Sequence, residues 1–135
     1  MTVLVDTSVW SLALRRDGTQ NAPEVRELAR LLNSAESIVT TGLVLQELLQ
    51  GFQGPKAAAS IVERFSALPM VAPDLQDHTD AATIRNTCRR AGVQMGTIDA
   101  VLAQLCIRYG LTLLTTDKDF QHAARHIPLR IWMPE

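Results

Sequence analysis

Four acidic residues stand where their carboxylates could share one metal ion. Asp6 and Asp117 each follow an apolar run directly, Asp99 opens a helical segment, and Glu47 lies within another. Carboxylates gathered in one place repel one another unless they are protonated or a cation neutralises them. Ligation by oxygen alone favours a hard cation, Mg²⁺ or Mn²⁺, over zinc. The acids therefore predict one Mg²⁺ or Mn²⁺ site.

The apolar runs before these acids are the strands that must position them. Residues 2–5, 37–41 and 111–116 form continuous apolar runs that are too short for helices. Residues 70–71 and 129–132 predict weaker edge strands. Strands without polar alternation are typical of parallel sheets, which are buried on both faces.

Apolar stripes at helical spacing lie between these runs and predict helices. The stripes are Val25, Leu28, Ala29 and Leu32; Ile61, Val62, Phe65 and Leu68; Ala81, Ile84, Cys88 and Ala91; and Ile98, Val101, Leu102, Leu105, Cys106 and Tyr109. Gly110 should cap the last helix. Alternating strands and helices predict an α/β fold, a three-layer α/β/α sandwich around a mainly parallel sheet of four to five strands.

The sheet explains why the acids should meet. Ligands of such sheets bind outside the carboxyl ends of the strands, where Asp6 and Asp117 stand. Asp99 lies in the first turn of its helix, which stabilises a carboxylate there. Glu47 lies beside the apolar stripe of the helix over residues 42–52. An unpaired acid would be costly to bury in that position, so we expect it to face a cation.

Each acid also has an ordinary structural explanation. Asp6 could cap a helix beginning at Thr7, Asp117 could cap a helix over residues 118–122, and Asp99 could be a simple first-turn acid. The arrival of all three at one edge, joined by Glu47, favours a shared site. Asp77 lies away from these motifs, and we expect its replacement to change neither activity nor stability much.

The bulk composition fits one domain, residues 1–135. The chain has 135 residues, 47% hydrophobic and 20% charged, with a net charge of −1. A nucleic-acid partner would therefore need a local positive surface. The basic residues that could supply phosphate contacts, or simply form solvated faces, are Arg15, Arg16, Arg85, Arg89, Arg90 and Lys118. Without a signal peptide or an apolar span, we expect a soluble, cytoplasmic protein that keeps its two cysteines reduced and buried.

Four segments together resemble a known family. They are VLVDTSVW at residues 3–10, TTGLVLQEL at 40–48, TIDAVLA at 97–103 and LLTTDKDF at 113–120. In this order they resemble the PIN domain, and specifically the VapC-type toxins of bacterial toxin–antitoxin pairs. The resemblance implies an Mg²⁺- or Mn²⁺-dependent endoribonuclease, a homodimer, and an antitoxin whose tail enters the acidic groove. It maps the metal-site acids onto Asp6, Glu47, Asp99 and Asp117, a supporting hydroxyl onto Thr116, and a further acid onto Asp119.

Two other functions compete with this one. A haloacid-dehalogenase-like phosphatase also has an aspartate after its first strand, but its motif places a second aspartate two residues later, where this chain has Ser8. A non-cleaving PIN-like module that binds RNA or protein would be favoured by an incomplete acid set, and this set is complete. A divalent ion would lower the pKa of an attacking water and neutralise charge on the phosphate, so no histidine is required.

Overall fold

The centre of the fold is a parallel sheet of four short strands, seen in a computed structural model that describes residues 1–15, 21–34 and 37–135. The strands are β1 (Val3–Val5), β2 (Ile38–Val39), β3 (Thr112–Leu114) and β4 (Arg130–Ile131). They lie in the order β2-β1-β3-β4, and every neighbouring pair is parallel. A bridge between Thr40 and Met70 extends the pairing beyond β2. The predicted sheet and its edge strand within residues 129–132 are confirmed, whereas residues 70–71 contribute only this bridge and no strand.

Helices occupy most of the remaining described chain. They are α1 (Thr7–Leu14), α2 (Pro23–Leu32), α3 (Gly42–Gly51), α4 (Pro55–Ser66), α5 (Leu75–Arg90), α6 (Thr97–Tyr109) and α7 (Lys118–Ala123). As predicted, α6 ends at Gly110, whose φ of +65° suits a residue without Cβ. Among the described residues, no helix is long and apolar enough to cross a membrane. Both cysteines are free and buried, as expected.

The strand order fixes where a ligand can approach. The chain leaves β1 toward β2 on one side of the sheet, but it leaves β3 toward β4 on the other. Right-handed crossovers in opposite directions place their helices on opposite faces, which confirms the α/β/α sandwich. Between β1 and β3 the connections therefore diverge and open a crevice at the carboxyl ends of both strands. Asp6 and Asp117 lie at this switch point.

All four predicted helical stripes are only partly correct. Ala91, the last residue of the stripe on α5, is exposed. Ile98 and Tyr109 of the stripe on α6 are 37% and 43% exposed. Val25 and Leu28 of α2 are buried, but Ala29 is exposed and Leu32 is 38% exposed, and the core side chain is Leu31 instead. On α4, Val62 is 47% exposed while Phe65 is buried. Single apolar side chains are common on protein surfaces, so a stripe drawn through every apolar residue is wider than the face that packs.

Asp77 differs most from its expected role, because it is a buried anchor between α5 and α6. Its side chain is 1% exposed. It forms a capping box with Asp74, accepts a hydrogen bond from Gln104 Nε2 at 3.2 Å, and pairs with Arg108 Nη1 at 2.6 Å. Burial raises the pKa of Asp77, but the hydrogen bonds from these partners outweigh it and hold the pKa below its ordinary value. The expectation of an inert acid is therefore contradicted by this burial and pairing.

We predict that Asp77→Asn lowers the free energy of unfolding by about 1–3 kcal/mol near neutral pH, because buried donors lose a charged acceptor. A carboxyl whose folded-state pKa is lowered stabilises the fold above its unfolded pKa and loses that effect as pH falls through the folded value. The difference in unfolding free energy between wild type and Asp77→Asn should therefore become smaller below about pH 4. Urea unfolding followed by circular dichroism across this range measures it. Glu63→Gln, on the exposed face of α4, is the control and should change the unfolding free energy little. A difference between wild type and Asp77→Asn that does not depend on pH would contradict the prediction.

Candidate acidic site

Asp6 joins the two central strands at the switch point. Its backbone N–H donates to Leu114 O at 2.9 Å, directly beyond β1. The Thr7 N–H donates to its Oδ1 at 2.8 Å, so Asp6 caps α1. Its Oδ2 accepts hydrogen bonds from the hydroxyls of Ser8 and Thr115, both at 2.8 Å. The capping role and a place in the acid cluster therefore coexist in one side chain.

The Asp6 carboxyl is held at a high pKa in spite of these hydrogen bonds. The residue is 5% exposed. Burial raises the pKa of Asp6 above its ordinary value, and the negative charge of Asp117 adds to the rise. Hydrogen bonds from Thr115, Ser8 and Thr7 favour the charged form but do not fully offset burial. A cation nearby would stabilise the ionised form.

The supporting hydroxyl belongs to Thr115, and its assignment to Thr116 needs correction. Thr115 is 1% exposed, and its hydroxyl both donates to Asp6 and accepts from the Asp117 N–H at 3.0 Å. The described contacts of Thr116 are made by its backbone N–H, which donates to Ser8 Oγ at 3.1 Å. Successive side chains of an extended chain point to opposite sides, so only one of two adjacent threonines can face Asp6.

Asp117 and Asp119 lie together at the start of α7. Asp117 is the N-cap of this helix, and its Oδ1 accepts from the Asp119 N–H at 2.9 Å. The capping role foreseen for Asp117 is therefore observed. Its fixed hydrogen bond to Thr115 places it next to Asp6 at the end of β3.

Glu47 reaches the same region from α3. The Thr7 hydroxyl donates to its Oε1 at 2.8 Å, and Thr7 follows Asp6 directly. Glu47 is half-buried, between the exposed Gln46 and the buried Leu48. The contact explains how an acid on a largely apolar helix is accommodated. A single threonine thus links the first strand end to α3.

Asp99 experiences the combined charge of the other acids. It is half-buried in the first turn of α6. Burial raises the pKa of Asp99 to about 7, and the charges of its acidic neighbours act in the same direction. Those neighbours are Asp6, Asp117, Glu47 and Asp119. The structure therefore brings all four predicted acids, and Asp119, within electrostatic range of one another.

The donor set suits a hard divalent ion, but the side chains do not themselves form a coordination shell. Every candidate donor is a carboxylate oxygen, which matches the preference of Mg²⁺ and Mn²⁺. Within residues 1–15, 21–34 and 37–135, no three His, Cys, Asp or Glu side chains are arranged to hold an ion. The oxygens of Asp6, Glu47 and Asp117 accept hydrogen bonds from hydroxyls and backbone N–H groups. The all-carboxylate donor set therefore fits a hard cation, whereas the positions of these side chains do not form a coordination shell.

The basic residues predicted to contact RNA are dispersed. Arg85 and Arg89 of α5 line a cavity that also reaches Asp119, and Lys118 is exposed at the start of α7. Arg90 is exposed and its Nη2 lies 3.5 Å from Thr87 Oγ1. Arg15 is the exposed C-cap residue of α1, and Arg16 lies outside the described residues.

The hydroxyls around Asp6 were not identified from the sequence as parts of the site. The sequence marks Ser8 only as a departure from the phosphatase motif, and it marks Thr7 only as the first residue of a predicted helix. Their positions one and two residues after the acid are the signal that could have revealed them, since short polar side chains there can bond back to a capping carboxylate.

Comparisons with known proteins agree with this geometry. The chain matches the PIN domain over residues 3–126. It is 33% identical over 125 residues to VapC ribonuclease Mb1587 of Mycobacterium bovis and to ribonuclease VapC11 of Mycobacterium tuberculosis, covering 91% of this chain and 92% of each relative. Its fold is similar to a chain of the VapBC2 complex of Rickettsia felis, with a TM-score of 0.74, 20% identity and coverage of 98% of both chains. The resemblance seen in the sequence is thus confirmed, and the chain belongs to the PIN domain family.

Proposed function

We propose that this chain is a divalent-metal-dependent endoribonuclease and the toxin of a toxin–antitoxin pair. The observation that carries the proposal is the meeting of Asp6, Glu47, Asp99 and Asp117 at the switch point, where burial and mutual charge raise the pKa of Asp99 to about 7. Strongly shifted pKa values are concentrated at functional sites, and a bound cation would relieve this repulsion. The names of its relatives, VapC ribonuclease and ribonuclease VapC11, support the same activity.

The proposed cofactor is Mg²⁺ or Mn²⁺. Asp6, Asp99 and Asp117 would hold it, directly or through water, and Glu47 would complete the site or orient the attacking water. When bound, the ion would lower the pKa of water and neutralise negative charge that develops on the phosphate.

The chain's own residues would prepare the site for this chemistry. Ser8 and Thr115 hold one oxygen of Asp6, so the carboxylate is fixed before any ligand arrives. The Thr7 hydroxyl fixes Glu47 in the same way, by donating to its Oε1. Partners of this kind orient a ligand and tune its affinity for metal. Asp119 would add negative charge at the edge of the site.

The partners follow from the proposed activity. RNA is the substrate, and the candidate contacts are Arg15, Arg16, Arg85, Arg89, Arg90 and Lys118. A cognate antitoxin would inhibit the enzyme, and a homodimer formed by the single domain of residues 1–135 stays a prediction. We also propose a cytoplasmic location, because the RNA substrate and a co-expressed antitoxin would be found there.

The competing functions differ in what they cleave. A phosphatase of the haloacid-dehalogenase type needs an acid where this chain has Ser8, whose hydroxyl instead donates to Asp6. A binding module without activity would hold RNA and leave it intact. Parallel assays with mixed cellular RNA and a phosphomonoester, each with Mn²⁺ and with chelator, separate the three. Metal-dependent cleavage of RNA alone is expected.

We predict that Asp99→Asn lowers RNA cleavage by orders of magnitude while leaving the metal-free fold as stable or more stable. The first effect follows because each ~1.4 kcal/mol of lost transition-state stabilisation costs tenfold in rate. The second follows because the change removes one charge from a repelling cluster. Cleavage of a fluorescent RNA and thermal melts in chelator measure the two effects.

The melts also carry a pH signature. A carboxyl whose folded-state pKa is raised destabilises the fold as pH rises above its unfolded pKa. In chelator, the increase in melting temperature of Asp99→Asn over wild type should therefore be larger near about pH 8 than near about pH 5, where Asp99 is largely protonated. Glu63→Gln again serves as the control. Near-full cleavage by Asp99→Asn would show that the acid is wrongly assigned and would remove the four-acid site.

We also predict that Thr115→Val and Thr116→Val differ, although each removes one hydroxyl from adjacent residues. Thr115→Val should weaken Mn²⁺ binding by roughly 10–100-fold, because Asp6 loses a partner that orients it. Thr116→Val should have little effect, because its described contact uses the backbone. Titration of Mn²⁺ by calorimetry, with RNA cleavage at rising Mn²⁺, measures this difference. Equal losses in both variants would contradict the assignment of the hydroxyl to Thr115.

A further inference from the structure

A polar cavity of about 490 Å³ lies beside the acid cluster. It is lined by Arg85 and Arg89 of α5, residues 93–96 and Asp119. Its volume falls within the ~300–1,000 Å³ typical of sites for small ligands. The size suffices for part of a nucleotide chain.

The cavity is continuous with the acidic site. Gly96 lines it, and a Cβ added to this glycine would lie 3.7 Å from Asp99 Oδ2. Asp119 lines it as well, and its backbone N–H donates to Asp117 Oδ1 at 2.9 Å. A molecule in the cavity would therefore lie beside Asp99, one of the four acids.

The arginines give this cavity a charge opposite to that of the acids. Arg85 and Arg89 are one helical turn apart on α5, which sets their Cβ atoms about 5–6 Å from each other on one face. Arg85 Nε donates to Met95 O at 2.9 Å, so this guanidinium is tied to the loop before α6. Arg89 is exposed, and among the described residues neither arginine forms an ion pair.

These features favour a polyanion as the ligand. Guanidinium groups bind phosphate oxygens through paired hydrogen bonds, and a fixed guanidinium loses little entropy when it does so. When a nucleic-acid backbone enters the acidic site, the phosphates on either side of the bound one also come close to the acids. The acids repel these phosphates unless positive charge nearby compensates. The positive charges of Arg85 and Arg89, on the cavity beside the acids, supply that compensation.

We propose that Arg85 and Arg89 form a subsite for backbone phosphates of single-stranded RNA that lie outside the cleaved bond. This inference rests on the proposed nuclease function and deepens it, because it assigns two of six dispersed basic residues to substrate positioning. The arginines hold the strand, and the acid cluster acts on the phosphate that reaches it.

The test compares Arg89→Gln with Arg64→Gln, which removes the same charge from an exposed residue in the last turn of α4, outside the cavity lining. Steady-state cleavage of a fluorescent single-stranded RNA oligonucleotide gives kcat and KM, and fluorescence anisotropy in chelator gives Kd without cleavage. Arg89→Gln should raise KM and Kd roughly tenfold with kcat nearly unchanged, and should reduce the slope of log Kd against log salt by about 0.7. Arg89→Lys should restore part of the affinity, and Arg64→Gln should match wild type.

The outcomes separate the subsite from the nuclease activity. Wild-type cleavage with an unchanged KM, Kd and salt slope in Arg89→Gln would overturn the subsite and leave the nuclease proposal standing. RNA binding that depends on Arg89, in a protein that cleaves no RNA with Mn²⁺, would support the subsite and overturn the nuclease proposal. Loss of affinity for an acidic peptide alone, with RNA binding intact, would assign the arginines to a protein partner and overturn the subsite.

Discussion

The hydrogen bonds of Asp6 hold together the chain segments that meet at the switch point. Its backbone joins β1 to the end of β3, one carboxylate oxygen caps α1, and the other accepts hydroxyls from Ser8 and Thr115. A carboxylate that is 5% exposed would be costly without such partners. Because the bonds are charge-assisted, they fix both the side chain and the strand ends that carry it. The other acids take their positions relative to this one.

This arrangement distributes hydrogen bonds unequally among the acids. The carboxylates of Asp6, Glu47 and Asp117 each accept hydrogen bonds from hydroxyl or backbone N–H groups. Asp99 lies opposite them at the start of α6, where burial and four neighbouring charges raise its pKa to about 7. Burial and neighbouring negative charge therefore disfavour the ionised forms of both Asp6 and Asp99. Such a local conflict in an otherwise consistent fold is expected where a ligand supplies the missing charge.

The sequence was sufficient to predict features set by topology and insufficient for those set by side-chain orientation. Asp6 and Asp117 could be placed together because parallel strands end at one edge of their sheet, whatever the packing around them. The choice between Thr115 and Thr116 could not be made, because a shift of one residue in an extended chain reverses the side it faces. Gly110 was identifiable, because few other residues end a helix with a positive φ.

Asp77 shows a different limit of the sequence. Its partners Gln104 and Arg108 are 27 and 31 residues away along the chain, on α6. Only the packing of α5 against α6 brings them together, so no local pattern distinguishes this acid from an exposed one. The pKa of Asp77, which has a cationic partner in Arg108, is lowered, whereas the pKa values of Asp6 and Asp99, which have acidic neighbours, are raised. The direction of the pKa shift, which needs coordinates, separates the two kinds of carboxylate.

The net charge of −1 conceals a separation of charge that matters for the proposed activity. The acid cluster repels a phosphate backbone, whereas Arg85 and Arg89 on the adjoining cavity wall attract it. A bound divalent ion would remove the repulsion, and a bound strand would bring phosphate oxygens toward that ion. Two ligands that each improve the electrostatic environment of the other must bind cooperatively, and linkage makes the effect reciprocal. A weak site for the free ion is therefore consistent with a nuclease whose metal is held firmly only when its substrate is present.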